Sequence, residues 1–102
     1  MKVVTVCEEG LNRSVAARWL LQYVGHEVIP VGLNRHTDET LQMLYAWADR
    51  VVVLDKRLSA RVPPDKCVVW DVGPDRYTVA RAFDAELVRR LRAFPPLNDD
   101  SG

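Results

Sequence analysis

The stretch with the clearest chemical potential is Cys7-Glu8-Glu9-Gly10-Leu11-Asn12-Arg13-Ser14, a cysteine, five residues, an arginine and a serine. It lies between a β-branched run, Val3-Val4-Thr5-Val6, and a stretch of helical period that starts near Val15. A loop wound from a strand into a helix N-terminus turns its backbone N–H groups inward and adds the partial positive charge of the helix. Together these form a cradle for a tetrahedral anion. The same field favours a thiolate, so a cysteine at the start of the loop is a competent nucleophile. The planar fork of Arg13 suits two oxygens of a phosphoryl group and can follow their charge into a transition state. Ser14 can hydrogen-bond the sulfur, and Gly10 permits a positive φ within the loop. A cysteine and an arginine at this spacing often arise by chance. Their place at the first strand-to-helix turn, with the glycine and the following serine, makes the arrangement specific.

The elements that must position this loop follow from hydrophobic period. Val3–Val6, Val28–Val31, Arg50–Leu54 and Cys67–Trp70 read as strands, three of them apolar enough to be covered on both faces, and Pro30 places the second at an edge. Val15, Ala16, Trp19, Leu20 and Tyr23 form the apolar stripe of a first helix that stops at Gly25. Thr37 or Asp38 caps a second helix carrying Leu41, Leu44, Tyr45 and Ala48. Asp84 caps a last helix carrying Leu87, Val88, Leu91 and Phe94. This alternation implies βαβ units, a parallel sheet of about four strands and helices on both faces. Ligands of such sheets bind beyond the carboxyl ends of the strands, where Cys7 stands. Residues 1–94 form one expected domain and 95–102 a polar, flexible tail.

Composition narrows the partners. The 102 residues carry 14 Lys+Arg against 14 Asp+Glu, so the basic footprint of a nucleic-acid binder is missing. No apolar run approaches a bilayer span, and Met1-Lys2 leads directly into a strand-like stretch, so a cytoplasmic chain without membrane contact is expected. Cys7 and Cys67 are then two reduced thiols rather than a bridge. His26 and His36 lack the spacing of metal ligands, and no metal or other cofactor is expected.

Cys7 to Ser14 resembles the signature loop of the cysteine-dependent protein tyrosine phosphatases, and its place beside the amino terminus resembles their low-molecular-weight class. Val31-Gly32-Leu33-Asn34, Thr40-Leu41 and Trp47 to Lys56 are similar to the central segment of a compact bacterial and phage branch of that superfamily. Val69-Trp70-Asp71-Val72-Gly73-Pro74-Asp75-Arg76-Tyr77, then Phe83 to Val88, are similar to its last strand, its Pro-Asp-x-Tyr loop and its short final helix. The resemblance implies a three-layer α/β sandwich with strand order 2-1-3-4. It also implies hydrolysis of phosphotyrosine or other aryl phosphate monoesters through a phosphocysteine. Position by position, Cys7 becomes the nucleophile, Arg13 the phosphate-binding residue, Ser14 a thiolate partner, Asn12 a loop-shaping residue and Asp75 the general acid. Asp71 is the rival acid, because the extra Gly73 blurs the registration.

The remaining loop residues, Glu8, Glu9, Gly10 and Leu11, and Tyr77 beyond the last strand complete the expected substrate-binding set. Glu8 and Glu9 depart from the pattern, since two carboxylates oppose an incoming dianion unless they point outward. Selection among substrates falls to Leu11, the Asn34-Arg35-His36 loop, Tyr77 and Trp47. The expected partner is a phosphorylated protein or small aryl phosphate, and the chain a monomer or weak dimer. Two competing readings share the loop: a non-catalytic phosphate- or protein-binding module, and a phosphocysteine carrier similar to sugar-transport IIB components. Arg13 weighs against the carrier, which generally manages without the arginine.

Overall fold

Short valine-rich runs separated by capped helical stretches can bury their side chains only if the strands stack side by side under a cover of helices on each face. The computed structural model, which describes residues 1–9, 12–77, 84–95 and 97, has this arrangement. Strands β1 (Lys2–Cys7), β2 (Glu27–Gly32), β3 (Arg50–Val53) and β4 (Cys67–Val69) alternate with helices α1 (Arg13–Tyr23), α2 (Asp38–Trp47) and α3 (Ala85–Arg92). The four strands are parallel in the order β2-β1-β3-β4. Pro30 lies on edge strand β2, opposite Thr5. Because the chain leaves β1 outward to β2 and then returns past it to β3, the strand order reverses between β1 and β3. The crevice at their carboxyl ends is where such sheets hold ligands.

Alternation along β1 builds both halves of the core. Val3 and Cys7 pack with Ala16, Ala17 and Leu21 of α1 and Leu87 and Leu91 of α3. Val4 and Val6 pack on the other face with Leu41 and Tyr45 of α2. β3 repeats the pattern, Val52 facing the first cluster and Val51 and Val53 the second. Each fully buried valine contributes about 2 kcal/mol. The one polar residue in the middle of β1, Thr5, is buried and donates to the Ser14 carbonyl at 2.8 Å, tying strand to helix.

One expectation is corrected here. The apolar stripe expected on α1 is not its buried face: Arg13, Ser14, Ala16, Ala17 and Leu21 are buried, whereas Trp19 and Tyr23 are exposed and stack on each other. The phase of this helix is set by Arg13 and Ser14 turning inward at its start. One turn later that face presents two alanines, small enough for close approach to the sheet. Between β3 and β4 the connection is a 3₁₀ helix, Lys56–Arg61, whose leading residue Asp55 accepts from the Arg57 N–H at 3.0 Å.

The other helix ends follow local chemistry. Thr37 rather than Asp38 caps α2, accepting from the Thr40 N–H, and the Asp84 carboxylate caps α3, accepting from the N–H groups of Glu86 and Leu87. Gly25 closes α1 at φ +100°, a conformation that disfavours any Cβ. Leu97, placed in the tail by the sequence, packs against the α1/α3 cluster, and its carbonyl lies 3.2 Å from His26 Nε2. Of the rest of that tail, 96 and 98–102 lie outside the described residues. No helix among the described residues is long and apolar enough to cross a membrane.

The α2 face carries one uncompensated polar atom. The Tyr45 hydroxyl is buried with no hydrogen-bond partner among the described residues, and burial pushes its ionisation above the usual phenol range. A buried donor without a partner costs about 1 kcal/mol or more. Tyr45→Phe is therefore expected to stabilise the protein by about 1 kcal/mol, seen as a Tm rise of several degrees. A lower Tm in thermal unfolding would contradict the assignment.

Candidate active site

Cys7 ends β1 almost wholly buried, its Sγ 3.2 Å from Ser14 Oγ on the first turn of α1. The loop that follows is pinned to the segment after β2: the Cys7 carbonyl accepts from the Leu33 N–H at 3.0 Å and the Glu8 carbonyl from the Asn34 N–H at 2.8 Å. Gly10 and Leu11, both expected in the binding loop, lie outside the described residues. Asn12 occupies the position before α1, where its side chain makes no capping bond to the first turn. That end of the helix is left without the side-chain oxygen that usually satisfies its N–H groups.

Arg13 is 2% exposed, and a buried guanidinium is tolerated only with partners. One terminal nitrogen donates to the Gly73 carbonyl at 2.7 Å and lies 3.5 Å from a carboxylate oxygen of Asp55. Its Nε is buried and has no partner among the described residues. Gly73, whose insertion clouds the registration of the acid, turns the chain at φ +77° and places its carbonyl on Arg13.

Asp55 is a functional candidate that sequence reasoning missed. It is buried directly after β3 and joins Arg13 to Arg57, whose terminal nitrogen bonds it at 2.6 Å. The only signal was a lone acidic residue at the carboxyl end of the neighbouring strand. The Arg57 hydrogen bonds, aided by the charges of Arg57 and Arg13, hold the Asp55 carboxyl below the usual carboxylate range despite burial.

The two acidic loop residues point outward. Glu8 pairs with Arg57 at 3.2 Å, while Glu9 pairs with Arg35 at 3.5 Å and accepts from the Asn34 amide at 3.2 Å. Their charges are thereby met by guanidinium groups at the rim of the loop. In exposed settings such pairs add little stability, but they fix where the carboxylates are.

The two candidate acids separate cleanly. Asp71 turns back on its own backbone, accepting from the Gly73 N–H at 2.9 Å. Asp75 reaches the cysteine loop, its Oδ1 accepting from Asn12 Nδ2 at 3.0 Å and, more weakly, from the Tyr77 N–H at 3.4 Å. Tyr77 braces this loop, its hydroxyl donating to the Val72 carbonyl at 2.6 Å and its side chain packing against the α1/α3 cluster, and it also lines a cavity with Gly73, Pro74, Asp84 and Arg90. Trp47 ends α2 beside Lys2, at the amino end of β1, and so is on the opposite rim from Cys7. Asn34 and Arg35 do stand at the loop, through Glu9.

Cys67 begins β4 opposite Val51, which itself pairs with Val4. It is therefore three residues down the strand direction and two strands across from Cys7, more than about 10 Å and beyond disulfide reach. Burial pushes the Cys67 thiol up. Among the described residues no group of three or more His, Cys, Asp or Glu could hold a metal ion.

Comparison with known proteins adds the fold. No protein-family model matches the chain, and no curated protein matches it. Among solved structures it is similar to the YwlE arginine phosphatase from Geobacillus stearothermophilus, with 18% identity over 89% of this chain and 82% of that one at a TM-score of 0.53. The chain thus has an α/β fold shared with that phosphatase, a four-stranded parallel sheet in the order 2-1-3-4 flanked by helices, as the sequence resemblance implied.

The Arg13–Asp55–Arg57 chain gives a direct test. Because the Asp55 carboxyl binds its proton less readily in the folded state, its stabilisation is present above about pH 4 and is lost as pH falls through the lower native value. Asp55→Asn is expected to cost about 3 kcal/mol in urea unfolding at pH 7, since it leaves a buried guanidinium without its counter-charge. The gap between variant and wild type should close in acid. Equal stability at pH 7 would show that the pair does not hold Arg13.

Proposed function

We propose that the chain is a cysteine-dependent phosphatase that hydrolyses phosphotyrosine or other aryl phosphate monoesters through a phosphocysteine intermediate. The observation that carries this reading is the contact of Cys7 with Ser14 at a helix end with no side-chain cap, next to Arg13, whose buried Nε has no partner among the described residues. That combination leaves N–H donors unmatched at the strand-to-helix turn, which a tetrahedral anion can satisfy.

In the first step Cys7 Sγ attacks phosphorus in line. The S–P bond forms as the P–O bond to the leaving group breaks, and protonated Asp75 gives its proton to the departing oxygen. Arg13 and the loop N–H groups hold the equatorial oxygens. In the second step Asp75, now a carboxylate, takes a proton from water as it attacks phosphorus. The S–P bond breaks, inorganic phosphate leaves, and the Ser14 hydroxyl donates to the returning thiolate. The outward pairing of Glu8 and Glu9 supports this reading over a non-catalytic binding platform, because it relieves the repulsion those carboxylates would impose on a dianion.

Hydrolysis of para-nitrophenyl phosphate between pH 5 and 8 without added metal tests the proposal. Turnover is expected that vanadate blocks, that Cys7→Ser abolishes, and that Arg13→Lys lowers about 10²-fold or more. Cys67→Ala should leave it intact. Phosphotyrosine peptides and, given the activity named for the structural neighbour, phosphoarginine peptides belong in the substrate panel. Folded protein that turns over none of these but binds a phosphopeptide, with affinity unchanged in Cys7→Ser, would replace the phosphatase with a binding module.

A further inference from the structure

An asparagine at the start of a helix normally turns its side-chain oxygen onto the first-turn N–H groups. Asn12 does not: it is 4% exposed, caps nothing, and directs its amide nitrogen across the site. Its two N–H protons are both spent on the loop after β4, one on Asp75 Oδ1 and one on the Tyr77 carbonyl, each at 3.0 Å. Both partners are acceptors, so the group facing them must be the NH₂ and not the oxygen. The bonds span more than sixty residues of sequence and join the cysteine loop to the acid loop.

We infer that Asn12 is the positioning residue for Asp75, an inference that rests on the phosphatase reading above. Asp75 is on an exposed stretch, and among the described residues the other contact of its carboxylate is the long one from the Tyr77 N–H within its own turn. Among the described residues, Asn12 is the side chain that ties this carboxylate to the cysteine loop. Arg13 holds the same segment two residues earlier, but through the Gly73 backbone, which leaves the direction of the Asp75 side chain open. By fixing Oδ1, Asn12 leaves Oδ2 as the oxygen that carries the proton and aims it over the cradle. It also restricts the motion that would otherwise dilute the acid. A second consequence follows from the missing cap: with the Asn12 side chain turned to the acid loop, the α1 N-terminus keeps its N–H groups for the anion.

The test uses leaving groups that differ in their need for a proton. Phenyl phosphate expels a basic phenoxide, whereas 2,4-dinitrophenyl phosphate expels one that departs unaided. Asn12→Ala is expected to lower kcat for phenyl phosphate by about 10²-fold. For the dinitrophenyl ester the loss should be less than about threefold, with KM for both nearly unchanged, because the cradle is intact. Asn12→Leu, which fills a similar space with neither donors nor a cap oxygen, should show the same split. Added to Asp75→Ala, either substitution should cost almost nothing further. Equal losses on both esters, or full additivity with Asp75→Ala, would overturn the inference and make Asn12 part of the cradle itself. If the wild type hydrolyses neither ester, the phosphatase reading fails and the contact is judged by amide hydrogen exchange. Faster exchange at Tyr77 in Asn12→Ala with Val4 and Val52 still protected sustains the tie, and unchanged exchange at Tyr77 refutes it.

Discussion

A guanidinium sealed inside a domain this small is the constraint around which the carboxyl-terminal rim is arranged. Arg13 lies almost out of contact with solvent, and an unpaired charge there would cost more than the whole domain can spare. It is tolerated because three separate turns converge on it: its own, after β1; Asp55, after β3; and the Gly73 carbonyl, after β4. Each of those turns must then be where it is. The positive φ at Gly73, the 3₁₀ turn begun by Asp55 and the inward phase of α1 all serve that single buried ion.

Seen from the sheet, the same economy holds. β1 is an interior strand that supplies both faces of the core and ends in Cys7, so the thiol stands at the end of backbone paired on both sides. Thr5, polar in an apolar strand, fastens the helix that carries Arg13 and Ser14. The outer side of the loop is fastened differently, by backbone bonds to the turn after β2 and by Glu8 and Glu9 reaching Arg57 and Arg35. The loop is thus held from the inside by packing and from the outside by charge.

What could be read from the sequence is what local chemistry determines. The valine runs, Pro30 at an edge, a cap at Thr37 or Asp38, the Asp84 cap and the stop at Gly25 are signals a few residues long, and each is found where expected, Thr37 being the first cap. The cysteine loop was legible for the same reason, since its letters and its place after the first strand are both local. The buried face of α1 was not, because hydrophobicity favours Trp19 and Tyr23 while the site's own polar residues turn Ala16 and Ala17 inward. Asp55 escaped notice because its meaning lies in a contact with Arg13, forty-two positions away, and one aspartate after a strand carries no distinguishing pattern. The direction taken by Glu8 and Glu9 depends on Arg57 and Arg35 in the same way.

The placement of the two cysteines at opposite ends and on opposite faces of the sheet bears on oxidative chemistry. Cys7 packs with the α1/α3 cluster and Cys67 against the α2 cluster, separated by two strands and three residues of rise. A sulfenic acid formed at Cys7 could not condense with Cys67 to give a disulfide. No other thiol of the chain can therefore resolve an oxidised Cys7, and its reduction would depend on a thiol from outside the molecule.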